Sequence, residues 1–87
     1  CTVMRGATEI TCSQTEYRLL LYLMENKNRV LSKDQILNHI WDSGGKFVDD
    51  NTVSVNIRRL RTKIEDDASN PRFLKTVYGL GYLWKEE

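Results

Sequence analysis

Along the chain the spacing of apolar residues changes from every second position to steps of three and four, and then back. The opening stretch "TVMRGATEIT" alternates weakly around Arg5-Gly6, as a β-hairpin does. In "YRLLLYLMEN", Tyr17, Leu20, Leu21 and Met24 recur at three- and four-residue steps and predict a helix from about residue 14 to 26, buried along that face. Ser13-Gln14-Thr15-Glu16 just ahead is a capping box, in which serine hydroxyl and glutamate carboxylate each satisfy a backbone N–H of the first turn. After the connection "KNRVL", Ser32-Lys33-Asp34-Gln35 repeats the device and opens "QILNHIW", with Ile36, Leu37 and Ile40 inward. "DSGGKFVDD" predicts a loop: Gly44-Gly45 opposes helix, and Asp49 or Asp50 is placed to cap a third helix. That helix is expected from about Asn51 to Glu65, with Val53, Ile57, Leu60 and Ile64 on one narrow core stripe. "DASNP" is turn chemistry around Pro71, and "RFLKTV" and "YLWK" flank "YGLG" as a closing hairpin. Tyr82 and Trp84 alternate with Leu83, so at least one side of this hairpin should pack against the third helix.

This order of elements predicts an α+β fold. It is a winged helix-turn-helix, with three helices, a C-terminal β-hairpin wing and a short N-terminal β segment, occupying residues 1–87 as one domain. With 40% hydrophobic and 29% charged residues, the 87-residue chain can fill a single modest core. The longest apolar run, "LLLYLM", is too short to cross a bilayer, so a cytoplasmic protein with no membrane partner is expected. The chain begins with Cys rather than Met and is read as an excerpt of something longer. Cys1 and Cys12 match no metal or redox spacing and are taken as free, Cys12 as core filler.

Net charge is only +1, so any attraction to a polyanion must come from how charge is distributed. Residues 51 to 64 carry Arg58, Arg59, Arg61 and Lys63 and no acid, whereas residues 1 to 50 carry six bases against seven acids. Opposite the core stripe of the third helix lie Asn51, Val55, Arg58 and Thr62. Arg59 stands to one side, and Ser54, Asn56, Arg61 and Lys63 form the flanks. Solvated helix faces usually mix signs and gain from pairs one turn apart, whereas this face is expected to have nothing that neutralises it internally. Arginine can bind phosphate or the O6/N7 edge of guanine, asparagine the N6/N7 edge of adenine, and a valine methyl the thymine methyl. The set suits a DNA major groove, although cations near a helix C-terminus also simply favour the macrodipole.

Other chemistry is poorly provided for. His39 has no neighbouring Cys and no triad partners. "YGLG" lacks the third glycine and following helix of a dinucleotide loop, and Asp66 and Asp67 begin no calcium-ligand spacing. No enzyme activity, cofactor or metal is expected.

Four stretches together resemble the C-terminal effector domain of OmpR/PhoB-type bacterial response regulators: "SQTEYRLLLYL", "RVLSKDQILNHIW", "DNTVSVNIRRLRTKI" and "NPRFLKTVYGLGYLW". The resemblance implies sequence-specific binding of double-stranded DNA and control of transcription, usually by head-to-tail protomers on direct repeats. It implies a phosphorylated receiver domain on the N-terminal side as the switch, and a monomer away from DNA. By position, Arg59 matches a base reader, while Thr52, Asn56, Arg58 and Arg61 match contacts to phosphates or groove walls. Asn51 and Asn56 stand where the family often has Arg and His, and Tyr78, with Thr76 at the wing tip, stands where it often has a minor-groove Arg. Trp41 matches an aromatic whose indole N–H reaches a phosphate, though packing on the third helix accounts for it equally well. Residues 42–50 match a segment that in several members touches RNA polymerase. The alternative from another class is a winged-helix protein-interaction module, in which the same helix docks an acidic protein surface and binds DNA only loosely.

Overall fold

A computed structural model describes residues 2–40 and 50–86. The chain runs through β1 (Thr2–Arg5), β2 (Thr8–Thr11), α1 (Gln14–Glu25), β3 (Val30–Leu31), α2 (Lys33–Ile40), α3 (Asp50–Ile64), β4 (Leu74–Val77) and β5 (Gly81–Trp84). β1 and β2 form the expected antiparallel hairpin, with Arg5 opposite Thr8 and Gly6 at φ +59 in the two-residue turn.

Both capping boxes are made. Glu16 N donates to Ser13 Oγ at 3.1 Å and Ser13 N to Glu16 Oε1 at 2.7 Å; Gln35 N donates to Ser32 Oγ at 3.1 Å and Ser32 N to Gln35 Oε1 at 2.9 Å. These reciprocal bonds satisfy N–H groups that a helix start would otherwise leave open, and they fix where α1 and α2 begin.

The buried face of α1 differs from the expected one. Glu16, Leu19, Leu20 and Leu23 point inward, Tyr17 is half-buried, and Leu21 and Met24 are exposed. An unbroken apolar run offers several neighbouring stripes; the one chosen is the stripe that turns the Glu16 carboxylate inward to meet Lys63 of α3. In α2, Ile36 and Ile40 are buried and Leu37 packs against the core from a half-buried position. In α3, Val53, Ile57, Leu60 and Ile64 are all buried, as the periodicity predicts.

The segment read as a plain connection contributes a strand. β3 pairs antiparallel with β5, giving a three-stranded sheet in the order β3-β5-β4, with Leu31 and Thr76 both opposite Tyr82. Two residues are too few to show a period, which hides β3 in the sequence. Gly81 permits the approach: at φ +149, a Cβ there would overlap the Leu31 carbonyl and lie 2.9 Å from Ser32 Cα. Tyr82 and Trp84 are buried beneath the sheet, and Phe73 stacks on Trp84 with ring centroids 5.7 Å apart. No helix among the described residues is long and apolar enough to cross a membrane.

Candidate nucleic-acid interface

The core stripe of α3 sets what its other side can offer. With Val53, Ile57, Leu60 and Ile64 turned inward, Asn51, Val55, Arg58, Arg59 and Thr62 are exposed, and Ser54 and Thr52 are half-exposed. Among the described residues, neither the Arg58 nor the Arg59 guanidinium has a hydrogen-bond or ion-pair partner. A crevice of about 300 Å³ runs between this helix and the sheet, lined by Ser54, Ile57, Arg58, Arg61, Ala68 and Tyr82. Ser54, Arg58 and Arg61 follow one another at helical steps along it, so a hydroxyl and two guanidinium groups border one channel.

Three side chains depart from the expected surface. Asn56 is only 7% exposed, and its Nδ2 donates to the Thr52 carbonyl at 2.7 Å within α3. Lying three residues after Val53 and four before Leu60, it falls inside the core stripe rather than on an open flank. Lys63 is neutralised internally, contrary to expectation: its Nζ donates to Glu16 Oε1 at 2.7 Å and to the Thr11 carbonyl at 3.0 Å. Arg61 reaches into the wing, donating from Nε to the Leu74 carbonyl at 2.9 Å and from Nη2 to Thr76 Oγ1 at 2.6 Å. Its guanidinium carbon also lies 5.8 Å from the centroid of the Tyr82 ring.

Two buried acids build the base on which this surface stands. Glu16 is 3% exposed. Burial pushes its pKa up, but the bonds from Lys63 and from the Ser13 backbone and hydroxyl outweigh it and hold the carboxyl below its ordinary value. Glu65, also buried, accepts three backbone N–H groups: Arg72 at 2.9 Å on Oε1, Phe73 at 3.0 Å and Leu74 at 2.8 Å on Oε2. It thus clasps the start of β4 to the end of α3. The Glu16 cap was visible in the sequence, but its bond to a lysine 47 positions away was not. Glu65 carried one signal only, an acid directly after the last core residue of a helix.

The two acids after Glu65 act locally. Asp66 pairs with Arg5 of the N-terminal hairpin. Asp67 Oδ1 accepts from Ser69 N at 3.0 Å and Ser69 Oγ at 2.6 Å, and these bonds lower its pKa.

At the wing tip, Tyr78 is 91% exposed and Thr76 half-buried. Leu80 N donates to the Val77 carbonyl at 3.0 Å and Gly79 has φ +80 at the third position, the signature of a type II turn. His39, exposed on α2, stacks on Tyr22 at 3.8 Å, and Cys12 is a free thiol in the core. No three His, Cys, Asp or Glu side chains among the described residues cluster closely enough to hold a metal. Trp41, residues 42–49 and Cys1 lie outside the described residues, as does the side chain of Asp50.

A helix-turn-helix pair whose later helix bears an open cationic face, flanked by a β wing on a three-stranded sheet, defines a winged-helix domain. Residues 7–84 match the family model described as "Transcriptional regulatory protein, C terminal". The chain is 49% identical over 77 residues to the transcriptional regulatory protein YvrH of Bacillus subtilis, covering 88% of this chain and 32% of that protein. Its structure is similar to that of the response regulator DrrB, a Thermotoga maritima OmpR/PhoB homolog. The TM-score is 0.87 and the identity 33%, over 98% of this chain and 38% of that one. It is also similar to the Klebsiella pneumoniae RstA DNA-binding domain in complex with RstA box, at a TM-score of 0.81 and 31% identity, over 97% of this chain and 82% of that one. The chain belongs to the OmpR/PhoB-type transcriptional regulatory proteins and corresponds to their C-terminal winged-helix domain. It spans about a third of the length of YvrH.

Proposed function

We propose that this domain binds double-stranded DNA sequence-specifically and regulates transcription, with α3 lying in the major groove. The observation that carries this reading is the pair Arg58 and Arg59, held outward by the core stripe behind them and unpartnered among the described residues. Asn51, Val55 and Arg59 are assigned to base edges, because amide, methyl and guanidinium groups match the donor, acceptor and methyl pattern of that groove. Thr52, Ser54 and Arg58 are assigned to phosphates and groove walls and Tyr78 to the backbone beside the wing, while the Thr76 hydroxyl is taken up by Arg61. Asn56 and Arg61 serve the fold of the reading surface, since their polar atoms are engaged by Thr52 and by the wing.

The family resemblance supports further parts of the reading: a phosphate contact from Trp41, an RNA polymerase contact through residues 42–50, and a receiver domain as the switch in the whole protein. Head-to-tail binding of direct repeats by protomers that are monomeric off DNA, in the cytoplasm and without catalysis, completes it.

The test is to select bound duplexes from a random pool and to compare the winner with its scrambled sequence at moderate salt. A ratio of roughly 10³ or more is expected of an operator reader. A ratio near one would favour the protein-interaction module, which the exposed Val55 and Tyr78 also suit.

A further inference from the structure

The wing needs lateral support that its own sheet does not supply. β5 is tied to β3 over only two residue pairs, Val30 with Leu83 and Leu31 with Tyr82, both at the base. On the side toward α2 the wing faces an open cleft of about 540 Å³, bordered by Ser32, Lys33 and Asp34 across from Val77 to Leu80, so no described helix packs there to set its tilt. On the α3 side, beyond the clasp that Glu65 makes at the start of β4, Arg61 reaches further along the strand. Arg61 bonds Leu74 and Thr76, two residues apart along β4, and lies beside Tyr82, the β5 partner of Thr76.

We infer that Arg61 is a positioning residue that braces the wing against α3 and fixes the separation between the groove-facing side of the helix and the wing tip, rather than a phosphate ligand. The geometry suits arginine specifically: Nε–H and one Nη2–H run side by side from one edge of the planar guanidinium and meet a carbonyl and a hydroxyl together, which the flexible point charge of lysine cannot reproduce. With this brace in place, α3 and Tyr78 meet a duplex as one rigid surface, so contacts by helix and wing are coupled. The inference rests on the DNA-binding reading for its effect on affinity, but not for the brace itself.

Two substitutions test it, Arg61→Lys, which keeps the charge, and Thr76→Val, which keeps the shape and removes the acceptor. In the free domain, ¹⁵N relaxation and residual dipolar couplings should show the Val77–Gly81 amides loosened in both variants while the α3 amides remain as in wild type. On the selected duplex Arg61→Lys should lose roughly tenfold in affinity, about the effect of one base contact, with the salt slope unchanged. The double variant should lose little more than either single one, because both remove the same support. A phosphate ligand predicts the reverse: lysine nearly as good as arginine, and only Arg61→Ala lowering the salt slope, by about 0.9. An Arg61→Lys wing as ordered as wild type, or wild-type affinity in that variant, overturns the inference. If wild type itself fails to discriminate between duplexes, the DNA reading falls while the wing measurements still decide the brace.

Discussion

Lys63 Nζ lies 2.7 Å from Glu16 Oε1, and this contact fastens the last turn of α3 to the first turn of α1. The same carboxylate oxygen accepts from Ser13 N, so one acid both caps a helix and anchors the helix that carries the proposed reading surface.

Acid should therefore weaken the fold through Glu16. Its folded pKa is held below the ordinary carboxylate value, so between the two the unfolded chain binds more protons. This contribution is fully present above the ordinary value, near pH 4, and is lost as pH falls through the folded one. Glu16→Gln should cost about 1.5–3 kcal/mol at neutral pH. Denaturant midpoints followed from neutral pH into acid should show the gap between variant and wild type closing.

Glu65 is expected to matter more than its place beside a surface turn suggests. Glu65→Ala leaves the N–H groups of Arg72, Phe73 and Leu74 without their acceptor and should cost about 3 kcal/mol, read from the urea midpoint. Hydrogen exchange at Leu74 N should speed up before that at Leu60 N.

The two wing glycines should respond unequally to alanine. At Gly79 nothing lies within 4 Å of a new Cβ, so Gly79→Ala bears the strain of positive φ alone, about 1 kcal/mol. At Gly81 the Cβ meets the Leu31 backbone, which cannot yield without parting β3 from β5. Gly81→Ala should cost about 3 kcal/mol or more by chemical denaturation.

Arg58 and Arg59 should be separable on DNA. Arg59→Ala should lose roughly 1–3 kcal/mol on the selected duplex and relax preference at one position. Arg58→Ala should weaken all duplexes alike and reduce the slope of log K against log salt by about 0.9. Binding titrations over a salt series distinguish the two, and wild-type behaviour in both variants would remove them from the interface.

What the sequence made legible was local. Val53, Ile57, Leu60 and Ile64 announce α3 because one period repeats over three turns, and the exposure of Arg58 and Arg59 follows from the same phase. Ser13 and Ser32 announce helix starts because a capping box spans four residues. The α1 face was misplaced because "LLLYLM" has no phase of its own, and Lys63 seemed free because its partner stands 47 positions away. Asn56 could have been caught: a residue between Val53 and Leu60 on the helical net shares their side, even when its amide argues for solvent. The reach of Arg61 into the wing had no such signal, since it depends on how β4 docks.

The order β3-β5-β4 leaves a two-residue strand at one border of the sheet and, at the other, a four-residue strand with Lys75 exposed on it. Borders this short, one of them bearing a cation, make poor templates for a neighbouring chain, which works against edge-to-edge joining of two copies through this sheet.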